Sequence, residues 1–215
     1  SVYQKVLALA NKEQRGYITP QEFNLFADQA QMEIFEQYFY DVDQFERRVG
    51  DDAAALTKRK IEIFRTFAAP ILPDNPPDNT AMTLPNDVYI VESVYLDIYN
   101  GSDVVEKQSI VEKMDRDESY NISAAINNSP LTKPNISRPV YAIHQNIISL
   151  SPPPSQNPPR FYYMNYIKTP EKPSWGYIVV NDKPLYNSTA STDFELHLSE
   201  ESELVYRILA LAGVA

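Results

Sequence analysis

"APILPDNPPDNTA", Ala69 to Ala81, divides the chain into two differently patterned parts, because four prolines fall within eight of its residues. Proline has no amide hydrogen and its ring clashes with the preceding helical turn, so neither a helix nor a central strand can run through here. A linker or extended arm is expected over residues 69–82. Upstream, from Pro20 to about Arg48, Phe23, Phe26, Ala30, Ile34, Tyr38, Val42 and Phe45 recur at steps of three and four, the period of one helical face. A second such run, Asp52 to about Phe67, carries Ala53, Leu56, Phe64 and Phe67 with Lys60 breaking the stripe. With the short opening segment Val2 to Ala10, residues 1–68 read as a three-helix bundle.

Downstream of the prolines the signal changes. "DVYIVESVYLDIY" (87–99), "RPVYAIH" (138–144), "NIISL" (146–150) and "RFYYMNYIK" (160–168) are rich in Val, Ile and Tyr, the residues that suit a pleated surface. Between them lie Pro- and Asn-rich turns, and 112–129 is left as a short helix or a loop. Residues 83–198 therefore read as a β-rich, antiparallel domain. From Ser199, "SEESELVYRILALAG" has an acidic first turn followed by Leu204, Ile208 and Leu211 on one side, a closing helix over 199–215 that packs back. Helices, then strands, then a helix make an α+β fold.

Composition limits the chemistry. The chain has 215 residues, 43% of them hydrophobic, which suffices for one large core or two small ones. Its formal charge of -10 argues against tight capture of nucleic acid through phosphate neutralisation. With no cysteine, thiolate catalysis, disulfides and Cys-ligated zinc are excluded. Five isolated glycines against 17 prolines leave no material for a glycine-rich phosphate loop. The opening apolar run is too short for a membrane span or a secretory signal, so no membrane partner is expected.

One motif resembles a metal site. In "NKEQRGYITPQEF" (11–23), Asn11, Glu13 and Glu22 occupy the first, third and twelfth positions of a calcium loop, with Gly16 at the sixth. Arg15 stands at the fifth, where a ligand oxygen is needed and a guanidinium would repel the ion. Thr19, Pro20 and Glu22 instead form a helix-capping box, so the loop is read as non-binding, with no metal and no cofactor. His144 and His197 fall in strand-like runs without a Ser, Asp or Glu at catalytic spacing. The acid pairs Glu200 with Glu201 and Asp115 with Asp117 suit solvated helix starts. No enzymatic activity is expected, and a hydrolase using two carboxylates is the weakest reading, since no spacing singles out a pair.

The 15 tyrosines point to interfaces, because Tyr joins a large apolar body to a polar tip. In "EQYFYDV" and "RFYYMNY" aromatics occupy both faces of their element, which makes Tyr38, Tyr40, Tyr162, Tyr163 and Tyr166, together with Trp175, the candidate interface residues. Core packing is the competing use of any one of them. Proline-rich arms that form no internal hydrogen bonds can lie along a neighbouring subunit.

Taken in order, "TLPNDVYIVESVYLD" (83–97), "RPVYAIHQNIISLSPPP" (138–154), "FYYMNYIKTPEKPSWGY" (161–177) and "STDFELHLSEESELVYRILALAGV" (191–214) resemble the head-to-tail connector proteins of short-tailed bacteriophages. The resemblance is nearest to the ring or adaptor, tail-tube and gatekeeper-like proteins of crAss-like and related marine phages. The opening "LALANKEQRGYITPQEFNLFADQAQMEIFEQYF" (7–39) resembles the helical start of that group. The resemblance implies a structural virion protein of the phage neck, assembled in the host cytoplasm. It would form a homo-oligomeric ring, dodecameric to match a portal, joining portal protein to tail or other ring proteins. Genomic DNA would pass through the channel unbound during ejection, and an acidic wall would let it slide. The alternative is a tail or surface module that contacts a glycan or a protein.

Overall fold

At Thr19 the predicted capping box is formed: the Thr19 N–H donates to Glu22 Oε2 at 2.9 Å and the Glu22 N–H donates to Thr19 Oγ1 at 3.3 Å. Pro20 then opens the long helix α2 (Pro20–Arg47), its missing amide hydrogen being one that a first turn leaves unpaired anyway. The computed structural model describes residues 1–12, 18–47, 51–71, 81–100, 104–115, 134–156, 159–181 and 183–214. Over these the protein is mixed α+β, with a large antiparallel-rich sheet and several helices.

The chain forms two compact units, Ser1–Phe64 with Pro170–Ala215, and Arg65–Thr169. By this division residues 170–198 lie in the same unit as the helices, whereas the sequence reading set them in the β-rich segment 83–198. The helical unit contains α1 (Val2–Lys12), α2, α3 (Asp51–Glu62) and α4 (Glu201–Leu211). In α2 the buried residues Phe23, Ala27, Ala30, Ile34, Phe35 and Tyr38 follow the helical period. Tyr3, Val6 and Ala10 do so on α1, and Leu204, Val205, Ile208 and Leu209 on α4. Phe35 meets Phe39 and Phe64 edge-on, with ring centroids 5.1 and 4.9 Å apart. Each such side chain removed from water contributes about 1.5–3 kcal/mol.

The second periodic run is shorter than its spacing suggests. Helix α3 stops at Glu62, and Arg65–Ile71 is strand β1, paired antiparallel with β8 (Pro159–Lys168). Pro70 disfavours helical geometry at its predecessor. Between Thr66 and Ala69 the register shifts, and Ala68 takes a left-handed φ of 52° while its N–H donates to Asn165 Oδ1 at 2.9 Å. Proline is tolerated because β1 is an edge strand. The arm expected over 69–82 thus begins as strand and ends in β2 (Ala81–Thr83); its middle lies outside the described residues, as does most of 112–129.

In the second unit the strands β3 (Val88–Asn100), β4 (Val104–Lys113), β5 (Val140–His144), β6 (Ile147–Ser151) and β7 (Ser155–Gln156) join β1, β2 and β8. Among the described residues this sheet runs β1-β8-β3-β4-β5-β6-β2, with β7 on β8; only the β4–β5 pair is parallel. Its core takes one face of each strand: Val94, Leu96 and Ile98 from β3, Tyr162, Met164 and Tyr166 from β8, Ile148 and Leu150 from β6, and Met82 from β2. Strands β9 (Tyr177–Val180) and β10 (Lys183–Tyr186) form a separate hairpin within the helical unit, with Asn181 in the left-handed region that a tight hairpin turn requires. His144 ends β5, whereas His197 lies in no strand: its Nδ1 accepts the Ser199 N–H at 3.2 Å and caps the turn that leads into α4.

Candidate interaction surfaces

Two polar side chains of α2 hold the segment that follows Pro170. Asn24 grips the backbone of Trp175 twice, its Oδ1 accepting the Trp175 N–H at 2.7 Å and its Nδ2 donating to the Trp175 carbonyl at 3.3 Å. Seven residues on, and so on the same helix face, Gln31 donates to the Glu171 carbonyl at 2.8 Å and accepts the Glu195 N–H at 3.1 Å. Gln31 is fully buried, which makes both bonds costly to lose. Sequence reasoning followed only the apolar stripe of this helix and assigned these side chains no role. The signal was there in Asn24, Asp28 and Gln31, a second stripe at helical spacing beside the apolar one.

The clamp places an aromatic cluster. The Trp175 ring lies 4.4 Å from Tyr3, 5.8 Å from Tyr186 and, stacked, 5.9 Å from Tyr177, and Tyr3 lies 4.7 Å from Phe23. Only glycine fits at position 176, since a Cβ there would come within 2.5 Å of the Ala190 backbone. The Gly176 N–H donates to Ser191 Oγ at 3.0 Å, closing the loop. Beside the rings is a cavity of about 200 Å³, with Asp193 and Glu201 among its lining residues.

The hairpin has two unlike faces. Tyr177 and Tyr186 are paired across it and turn their rings to Trp175. Ile178 opposite Leu185, and Val180 opposite Lys183, form the other face and are exposed. A two-stranded ribbon is marginal alone, and the contacts of Tyr177 and Tyr186 with Trp175 tie this one to the segment that Asn24 holds.

In the sheet unit the alternation of "RFYYMNY" sorts its aromatics. Tyr162 and Tyr166 point inward with Met164, while Phe161, Tyr163 and Asn165 lie on the opposite face, half-buried. Tyr163 pairs with Tyr95 and Phe161 with Asp97 across β3. On this outer face the Tyr99 and Tyr163 hydroxyls are 3.4 Å apart and the Tyr99 and Phe161 rings meet edge-on. Asn165 Nδ2 donates to the Tyr95 hydroxyl at 3.2 Å, and Gln108 Nε2 donates to Asp97 Oδ1 at 2.9 Å. Ile110, opposite Tyr95 on β4, is 74% exposed.

The six candidate interface residues therefore separate. Tyr40 is exposed on α2, Tyr163 lies on the outer sheet face, and Trp175 borders the cavity. Tyr38, Tyr162 and Tyr166 are buried in the cores of their own units. Burial pushes the Tyr162 phenol well above its ordinary value; Tyr38 rises for the same reason, helped by Glu200 and Glu203. The Tyr166 phenol is raised by burial and then by its bond to Asp87, to which its hydroxyl donates at 3.1 Å. Lys60 stands over the Tyr38 ring at 5.5 Å and is paired with Glu200.

Of the calcium-like loop, Glu13, Arg15 and Gly16 lie outside the described residues. Glu22, its twelfth position, is engaged by Thr19, whose N–H and hydroxyl hold the carboxyl below the ordinary range. Among the described residues no group of three or more His, Cys, Asp or Glu could hold a metal ion, and no helix is long and apolar enough to cross a membrane. No family model matches the chain, and no curated protein does.

Proposed function

We propose that the chain is a structural ring subunit of the neck of a short-tailed bacteriophage, joining portal to tail around the path of the genome. The observation that carries this reading is an apolar or aromatic surface on each unit, exposed on the hairpin and half-buried on the sheet. These are the outer hairpin face of Ile178, Val180 and Leu185, and the sheet face of Tyr95, Tyr99, Phe161 and Tyr163 with Ile110 beside it. A closed ring needs two different surfaces per subunit, each meeting the other type on its neighbour. The motif order that resembles head-to-tail connectors supports the same reading. In it the helices form a bundle with α4 packed back, a rigid body suited to subunit packing. A net charge of -10 suits a wall along which DNA slides without sticking. Electron microscopy of the chain mixed with portal tests this: rings capping portal particles are expected, and portals that stay bare at every protein and salt concentration would refute it.

The tyrosine-lined sheet face favours a second reading, a tail module that contacts a glycan. Glycan-array binding by the intact chain, lost on Tyr163→Ala, would select it over the ring.

A further inference from the structure

The cavity beside Trp175 has the chemistry of a cation site. Its accessible aromatic wall is Trp175 and Tyr186, backed by the buried rings of Tyr3 and Phe23, and ring faces attract a cation within about 6 Å of their centroids. Tyr186 is 56% exposed, so much of its ring is uncovered. Two carboxylates share the lining. Glu201 is engaged by Lys5 at 2.8 Å. Asp193 makes no hydrogen bond or ion pair among the described residues. The volume, about 200 Å³, is below the roughly 300 Å³ at which pockets for drug-sized ligands begin, and ample for the end of one side chain. The site is also built, since Asn24 fixes the Trp175 backbone and position 176 admits only glycine.

We propose that this cavity receives an arginine side chain from a partner protein, its planar guanidinium lying against the aromatic wall while its N–H groups donate to Asp193. Arginine suits the site better than lysine because a flat, weakly hydrated cation can stack on a ring and donate to a carboxylate at once. The inference stands apart from the ring reading, since a monomer that binds arginine would satisfy it.

Trp175, the single tryptophan, reports occupancy through its own fluorescence. N-acetyl-arginine amide is titrated into the whole chain with its N-terminus acetylated, so that no amine competes. A saturable change in emission is expected. N-acetyl-citrulline amide, of the same shape without the charge, should bind roughly tenfold more weakly. Asp193→Asn should weaken arginine binding several-fold with an unchanged circular dichroism spectrum. Tyr186→Leu should do the same, and serves if Asp193→Asn misfolds. Absence of a saturable response, equal binding of the citrulline amide, or tighter binding of choline than of the arginine amide would overturn the assignment.

Discussion

Replacing Gln31 by alanine tests whether α2 holds the segment after Pro170. Gln31 is fully buried and makes two bonds to backbone, donating to Glu171 at 2.8 Å and accepting from Glu195 at 3.1 Å. Each intramolecular hydrogen bond is worth about 1 kcal/mol net, and the buried methylene lost on truncation adds about 0.8 kcal/mol. Alanine returns a few tenths of a kcal/mol through its better helix propensity. Water can refill the carbonyl of Glu171, an exposed residue, which keeps the cost from rising further. The expected loss is about 2–3 kcal/mol. Urea unfolding followed by Trp175 emission is the assay, because the single tryptophan belongs to the helical unit and reports on it alone. Gln29→Ala, on the exposed side of α2 with only a bond to Glu33 at 3.0 Å, is the control and should change stability by less than about 0.5 kcal/mol. A Gln31→Ala loss no larger than that of the control would refute the clamp.

Other perturbations separate the remaining features. Leu96→Ala, at a fully buried position of the sheet core, should cost about 2–5 kcal/mol by urea unfolding followed by circular dichroism, whereas Ile110→Ala, 74% exposed on β4, should stay within about 0.5 kcal/mol. Glu22 and Glu201 titrate below the ordinary carboxylate range, held there by Thr19 and Lys5. Their folded-state values are depressed, so their stabilisation is complete above the unfolded-state value and is lost as pH falls through the folded one, below about pH 4. Glu22→Gln should make the acid limb of a melting-temperature profile shallower, and an unchanged limb would count against the capping box. Ile178→Asp combined with Leu185→Asp, both exposed on the outer hairpin face, should leave the melting temperature within a few degrees while abolishing self-assembly in sedimentation. Assembly that survives the pair would remove the hairpin from the interface.

What could be read in advance followed the strength of the local signal. Helix α2 was legible because Thr19, Pro20 and Glu22 mark its start and a long apolar stripe follows. Strands β3, β5, β6 and β8 were legible through runs of β-branched and aromatic residues. Strand β4 was missed because "VVEKQSIVEK" buries Val111 but shows Glu106, Lys107, Glu112 and Lys113 to solvent, which hides the alternation. Strands β9 and β10, four residues each, are too short for periodicity to speak. The end of α3 was overrun because Phe64 and Phe67 keep the helical spacing by coincidence, Phe64 being core and Phe67 an exposed strand residue. Nothing local shows that residues 170–198 return to α2, since the amides of Asn24 and Gln31 gain meaning only when their distant backbone partners arrive. At the candidate surfaces, alternation marked Tyr163 as outward once the register of β8 was known, but sequence alone does not say which parity faces the core.

The mass of the assembled particle tests the ring reading most directly. Mass photometry of the purified chain, alone across a concentration series and then with portal, is expected to give one closed species of about twelve copies, the number that a portal of dodecameric symmetry accepts. A monomer that persists at every concentration and in the presence of portal, or an open series of sizes without closure, would contradict it.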